Sequence, residues 1–416
     1  MTEAVEPIDP RRPPVADPPN DAGEPMRLYD TARREVVPFE PGPTVLMYTC
    51  GITPYDATHL GHAAVYVTYD VLQRRLRDRG HDTRCVRNIT DVDDDLLRKA
   101  RELGVHYLDL AAAETARFDG DMQALNVVES WSEPRATSAI ADIRGFIGMV
   151  LDRGHAYQSG GAVYFDVSSF EDFGQISHLS RDEMLELARE RGGNVDDPNK
   201  RDPLDFVLWQ PSLDDEPAWE SLWGPGRPGW HIECSALAMR ELDTTIDLHG
   251  GGGDLIFPHH ECEAAQSEAA TGAPFVRHWM HQAMVRMDGE KMSKSLGNLV
   301  FISDLLKTYD PRAIRLALLG HHYREAWEWN EALMPDAAAR LDRWLASAGT
   351  SGEGAGSAVI APGDRDGASP TLLAGVRRAL DEDLDTPTAV GLIDEAAVAG
   401  TDVTPAAALL GVHLRS

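Results

Sequence analysis

Lysine is scarce in this chain, with five among 416 residues, and no basic run is longer than a pair such as Arg74-Arg75. Acidic residues outnumber basic ones 68 to 39, for a net charge of −29. Such a surface repels nucleic acid unless a basic face is segregated from the rest, so a large tRNA footprint is disfavoured. Adaptation to salt or a proteome-wide bias would give the same acidity. Cysteine is also rare: four residues, widely spaced, argue against a disulfide scaffold and fit a reducing cytoplasm. No apolar run approaches the length of a membrane span. Residues 1–24 are rich in Pro, Asp and Glu and lack the apolar core of a signal peptide, which predicts a disordered acidic leader. No membrane partner is expected.

What the chain does have is length and apolar content: 416 residues, 43% of them hydrophobic, suffice for two or three domains with a sizeable core. The stretch from Thr44 to Asp70 organises the reading. Thr44 to Thr49 is a β-rich apolar run, Gly51 and Pro54 are breakers, and from Ala57 the apolar spacing turns helical. A strand, a tight turn and a helix N-terminus aim backbone N–H groups at an anion above the strand's carboxyl end. His59 and His62 fall on that first helical turn, where both can donate to phosphate oxygens. Two histidines satisfied within a core would look the same in sequence.

In chain order, Met26 to Glu40 reads as a short β-containing segment, Thr44 opens the first parallel strand, and a helix over 58–79 leads to a second strand, His81 to Asn88. This is a βαβ unit ending in the polar run Asn88 to Asp95, placed as binding residues are in open α/β sheets. Helical patterns follow from Leu96 to Asn126, and 132–200 reads as an insertion with a strand-like stretch at Gly161 to Val167. Asp205 to Trp209, Gly229 to Cys234 and Thr245 to Leu248 are expected to resume the sheet, before the glycine run Gly250 to Gly253. Asp310 to Leu345 has a helical pattern, 346–369 reads as a flexible linker, and a last helical segment occupies 370–416. The catalytic unit is thus expected over 25–309.

Two of the five lysines lie in one pentapeptide, Lys291 to Ser295, flanked by Gly289 and Gly297. A mobile cationic clamp for departing pyrophosphate is one reading of that coincidence, and a solvated loop is the other.

Taken together, the motifs resemble those of the class I aminoacyl-tRNA synthetases, specifically the cysteine branch. The matching stretches are Cys50-Gly51 before Tyr55-Asp56, His59-Leu60-Gly61-His62, Asn88-Ile89-Thr90-Asp91, Gly229 to Cys234, Phe257 to Glu261 and Lys291 to Ser295, in the family's order over about 250 residues. The expected fold is an α/β, Rossmann-like class I aminoacyl-tRNA synthetase catalytic domain with an inserted lobe and a helical C-terminal region. Cys50, Cys234 and His259, with Glu263 four residues on as a candidate fourth ligand, make a zinc set gathered from distant segments. The resemblance implies that this metal takes the thiolate of substrate cysteine and so rejects serine. Packed thiols are the plainer reading of Cys85 and Cys262.

Within that branch the chain resembles the ligases of mycothiol biosynthesis, which join cysteine to the amine of a glucosaminyl-inositol. Ile52-Thr53-Pro54 stands where the synthetases carry Pro-Thr-Val, and Ala64 replaces an arginine. Glu190-Arg191-Gly192-Gly193 matches a ligase signature, although Asn194-Val195 replace its usual Asp-Pro. With the C-terminal helical segments running to Ser416, no anticodon-reading domain is expected. The resemblance places cysteinyl-adenylate against Cys50, Gly51, Ile52, Thr53, Asn88, Ile89, Thr90, Trp230, Gly252, Gly253 and Asp254, with Val65 and Val285 on the nucleotide side. It gives His59, His62, Lys291 and Lys294 to the phosphate chemistry, and implies Zn2+, Mg2+ with ATP, and the small molecules L-cysteine, ATP and glucosaminyl-inositol as partners. A truncated synthetase charging tRNA or another carrier, and a non-catalytic paralogue, are the alternatives.

Overall fold

The computed structural model describes residues 24–348 and 371–415, apart from 56, 288 and 293–296. Lys294, residues 1–23 of the expected leader and 349–369 of the expected linker therefore lie outside the described residues.

Four parallel strands form the central sheet, in the order Trp279–Gln282, Leu248–Gly252, Thr44–Ile52, Asp82–Ile89. The helix Leu60–Asp78 links the two strands of the βαβ unit. It starts at His59, whose ring accepts from the His62 N–H, and carries Arg75 and Arg77 in its last turn, where cations suit the helix dipole. Leu60, Ala63, Val67, Val71 and Leu72 share its buried face. That face packs with the C-terminal helices Pro311–Leu319, Leu333–Ser347, Leu372–Asp381, Thr386–Val398 and Thr404–Leu409 into one core. On the opposite face of the sheet, Ile140–Asp152, Trp230–Glu241 and Glu261–Thr271 build a second core with Tyr48, Cys50 and Val86.

The inserted lobe departs from expectation in extent. Its sheet is antiparallel, Ala156–Ser159, Ala162–Phe165, Phe206–Gln210 and Arg227–Pro228, so the strand expected to resume the parallel sheet at Asp205 belongs to the lobe. Val163, Phe165, Leu208 and Trp209 from this sheet share the second core with Tyr48 and Cys234, which holds the lobe against the catalytic sheet.

Gly229 to Cys234 forms no strand. It opens the helix Trp230–Glu241, which puts Cys234 at the start of the second helical turn rather than near a strand end. The glycine run, by contrast, lies mostly within a strand, because Gly250 packs where a Cβ would sit 2.0 Å from the Tyr69 hydroxyl. The helical pattern of 310–345 is broken by a short strand, Trp327–Glu328, which pairs with Val285–Met287. Likewise the last helical pattern is broken, opening with two helices, Leu372–Asp381 and Thr386–Val398. Asp383 and Leu384 interrupt them at positive φ, and the Asp383 carboxylate accepts from the Tyr29 N–H at 2.9 Å and the Tyr323 hydroxyl at 2.6 Å. Among the described residues, no helix is long and apolar enough to cross a membrane.

Candidate active site and metal cluster

The carboxyl ends of the parallel strands converge on one place. Register between Thr44–Ile52 and its neighbour slips between Thr49 and Ile52, a bulge that redirects the side chains at the strand's end. Gly51 is required there, since a Cβ would lie 1.6 Å from the Asn88 carbonyl oxygen. Its N–H donates to Asn88 Oδ1 at 2.8 Å, and Asn88 Nδ2 donates to Thr90 Oγ1 at 3.0 Å. The polar run at the end of the second strand thus anchors the end of the first.

Above this edge lies a cavity of about 910 Å3. One end is lined by His59, His62 and Val65 from the start of the helix Leu60–Asp78, with Gly252, Asp254, Val285 and Met292. The two imidazoles stack with centroids 3.7 Å apart. The helix's first turn carries no acidic side chain, which leaves its positive end open to an anion.

Beneath the cavity is a buried cluster. Cys50 Sγ lies 3.9 Å from Cys234 Sγ, 3.6 Å from Glu263 Oε1 and 3.3 Å from His260 Nε2, and His259 Nε2 lies 3.1 Å from Glu263 Oε1. His249 Nε2 reaches the other Glu263 oxygen at 3.0 Å. Two overlapping sets of four donors fall within 4.8 Å: Cys50, Cys234, His259 and Glu263, and Cys50, His249, His260 and Glu263. Burial pushes the Cys50 thiol up, reinforced by Cys234 and Glu263, and drives His259 well below the usual imidazole range, reinforced by His231 and His249. Thiols whose ionisation is suppressed by burial and an adjacent carboxylate, beside a neutral imidazole, suit a bound cation, which would stabilise the thiolates. The set with two thiols is the softer one and suits a thiophilic divalent ion. His231 Nδ1, 2.8 Å from His259 Nδ1, backs that imidazole as outer partners back metal ligands.

The expected site residues therefore separate into two groups. Cys50, Gly51, Ile52, Thr53, His59, His62, Val65, Trp230, Gly252, Asp254 and Val285 line the cavity. Asn88, Thr90 and Ile89 are buried behind its wall, and Cys234, His259 and Glu263 beneath its floor. Gly253 follows the strand as a turn, its N–H bonded to the Gln282 carbonyl at 2.8 Å. Lys291 lies in the short strand Glu290–Lys291, which pairs with Val285–Met287.

Sequence reasoning missed His231, His249, His260 and His281. His260 and His281 are joined at 2.7 Å, and burial holds both His231 and His281 down to about 3. The doublet His259-His260 was the available signal, but one residue's difference on a helix decides which ring faces which set. The cavity also runs along the lobe, past Tyr164, Asn199, Lys200 and Gln210, and past Asp93, Asp94 and Asp95.

Residues 36–339 match the family model described as tRNA synthetases class I (C) catalytic domain. The chain is 48% identical to the L-cysteine:1D-myo-inositol 2-amino-2-deoxy-alpha-D-glucopyranoside ligase of Thermobispora bispora over 402 residues, covering 94% of this chain and 96% of that one. It is 48% identical to the ligase of the same name from Nocardiopsis dassonvillei over 373 residues, 89% and 88% of the two chains. Among solved structures it is similar to Mycobacterium tuberculosis methionyl-tRNA synthetase in complex with methionyl-adenylate, with a TM-score of 0.64 at 18% identity over 89% of this chain and 90% of that one. It is also similar to a putative arginyl tRNA synthetase from Campylobacter jejuni, with a TM-score of 0.57 at 13% identity over 89% and 93%. At such identities the structural likeness speaks for the fold alone.

Proposed function

The chain belongs to the class I synthetase catalytic-domain family of the cysteine type, and from that premise we propose that it ligates L-cysteine to the amine of 1D-myo-inositol 2-amino-2-deoxy-α-D-glucopyranoside, a step of mycothiol biosynthesis. In the first half-reaction an oxygen of the cysteine carboxylate attacks the α-phosphorus of MgATP, the bond to the bridging oxygen breaks, and pyrophosphate leaves. In the second, the amine nitrogen attacks the acyl carbon of cysteinyl-adenylate, the bond to the phosphate oxygen breaks, and AMP departs as the nitrogen sheds a proton. The observation that carries this reading is the junction of two features: stacked His59 and His62 at a helix N-terminus line the same cavity as Cys50, and Cys50 joins that cavity to the buried donors Cys234, His259 and Glu263.

His59 and His62 donate to the phosphoryl oxygens as charge gathers there, and Lys291 and Lys294 hold pyrophosphate. Cys50, Cys234 and His259 bind Zn2+, with Glu263 as fourth donor or as the group that orients His259. Held there, the ion would supply an affinity for thiolate that a hydroxyl cannot match, and so a preference for cysteine over serine. Gly51 to Thr53 and Gly252 to Asp254 hold the adenylate, Trp230 walls the cysteine pocket, and Val65 and Val285 flank the nucleotide. Asn88 and Thr90 act from behind, by fixing the turn at Gly51. Ile89 continues that strand. The acidic surface and buried free thiols support small-molecule partners, no tRNA and a cytoplasmic location.

The test is acceptor choice. Nuclease-treated enzyme supplied with cysteine, MgATP, Zn2+ and glucosaminyl-inositol is expected to form the amide and AMP, and added tRNA to change nothing. Cysteinyl-tRNA formed in the absence of any amide would replace this reading with that of a truncated synthetase.

A further inference from the structure

The residues assigned to the adenylate make up only part of the cavity's lining. Ligand pockets run from about 300 to 1,000 Å3, and this one, at about 910 Å3, continues along the inserted lobe. The lobe-side wall meets the metal-side wall where Phe206 packs edge-on against His231, centroids 5.6 Å apart. It comes from the strands Ala162–Phe165 and Phe206–Gln210 and from the loop 191–200.

That wall is a built surface. Tyr164, 3% exposed, donates its hydroxyl to Asp197 Oδ2 at 2.7 Å. Asn199 donates to Asp197 Oδ1 twice, from its backbone N–H at 2.9 Å and its side-chain amide at 3.0 Å. The Lys200 ammonium donates to the Gly193 carbonyl, and Arg191 donates to the carbonyls of Asp254 and Phe257, which ties the loop to the adenylate side. Any side chain at Gly160 would strike the Asn199 amide at 2.4 Å, so close packing holds that amide in place as well.

The lining tells what it would take. Fixed amide, carboxylate and ammonium groups alternate donors with acceptors, as vicinal hydroxyls require. Lys200 and Arg191, two cations, stand against four carboxylates, Asp93, Asp94, Asp95 and Asp197, a net negative balance that disfavours phosphate and admits a neutral or cationic molecule. We propose that this wall is the acceptor subsite, in which Asn199, Lys200 and Gln210 hold the hydroxyls of a cyclic polyol amine and Asp197 keeps Asn199 in place. The subsite rests on the ligase reading above, and supplies the second half-reaction from the lobe's part of the lining.

The experiment separates the half-reactions. Asn199→Ala and Gln210→Ala, on different segments, are assayed for cysteine-dependent pyrophosphate exchange, which needs no acceptor, and for amide formation against glucosaminyl-inositol concentration. Each variant is expected to keep wild-type exchange while its KM for the acceptor rises about tenfold or more, the scale of one lost hydrogen bond. An unchanged acceptor KM in both variants, or exchange that falls in step with amide formation, overturns the subsite. Wild-type enzyme that exchanges pyrophosphate yet forms no amide overturns the ligase reading, and the subsite with it.

Discussion

The indole of Trp230 lies flat on the imidazole of His259, with ring centroids 4.2 Å apart and planes 21° from parallel. One face of the cavity is thus stacked directly on a residue of the buried cluster, so whatever His259 binds is positioned with respect to whatever Trp230 contacts.

The first prediction distinguishes the two overlapping donor sets. If the ion sits among Cys50, Cys234, His259 and Glu263, Cys234→Ala and His259→Ala are expected to lower bound zinc and abolish cysteine-dependent exchange, whereas His249→Ala retains the metal. Glu263→Gln tests the fourth position, since a donor weakens retention clearly and an orienting group less so. Metal analysis of the purified variants decides the matter. Zinc lost from the His249 variant but kept by the Cys234 variant would move the site to the other set.

Phosphate chemistry gives the second. Lys294→Ala is expected to slow adenylate formation by about 100-fold or more, the scale of removing one donor from a developing anion, with little change in cysteine affinity. His62→Ala should act in the same sense. Rapid-quench measurement of the first turnover separates rate from affinity, and a defect confined to cysteine binding would remove these residues from the phosphoryl step.

Much of this site was legible because short motifs fall at the carboxyl ends of strands, where period and breakers show them. The βαβ unit from Thr44 to Ile89 formed within a residue or two of its expected bounds at most of its element ends. The lobe was less legible. Phe206–Gln210 has the apolar character of a buried parallel strand, and only its partners, Ala162–Phe165 and Arg227–Pro228, reveal that it runs antiparallel. Gly229 to Cys234 misled for a different reason: the helix begins directly at Trp230, without a side-chain cap to announce it. The wall made by Tyr164, Asp197 and Asn199 could not be read at all, because contacts 33 residues apart depend on the lobe's pairing.

Asp93 gives a prediction in pH. Burial pushes its carboxyl up to about 6, and Asp94 and Asp95 add to the effect. The folded chain therefore holds this proton more tightly than the unfolded one, and the group's contribution to stability falls as pH rises from about 4 through about 6. Asp93→Asn keeps an oxygen for the Asp95 N–H, which Asp93 now accepts at 2.8 Å to cap the helix Asp94–Leu103. Relative to wild type, the variant is expected to gain roughly 1–3 kcal/mol between pH 4 and pH 7. Urea melts at the two pH values check this, and an equal difference at both would show that Asp93 ionises normally.

The last prediction concerns the joint between the catalytic sheet and the C-terminal helices. Asp70, fully buried on the helix Leu60–Asp78, accepts from Arg315, from Arg74 Nε at 2.8 Å and from the Val128 N–H at 2.7 Å. Arg315 is 1% exposed and donates also to the carbonyls of Leu410 at 2.7 Å and Leu125 at 3.0 Å, so one guanidinium ties three segments together. Burial opposes ionisation of Asp70, but Arg315 and Arg74 outweigh it and hold the carboxyl below the usual range. A depressed carboxyl pKa stabilises the fold above the unfolded value near 3.9, and that contribution is lost as pH falls through the folded value. Asp70→Asn leaves Arg315 buried without its counter-charge, which costs about 3–5 kcal/mol. At pH 7 the variant is expected to unfold at clearly lower urea, and the gap to wild type to close as pH drops below about 4. Cysteine-dependent exchange by the folded variant should stay close to wild type, because Asp70 does not line the cavity. A gap that stayed constant with pH would mean that the cost lies in packing, and that the charge on Asp70 contributes nothing to holding the C-terminal helices in place.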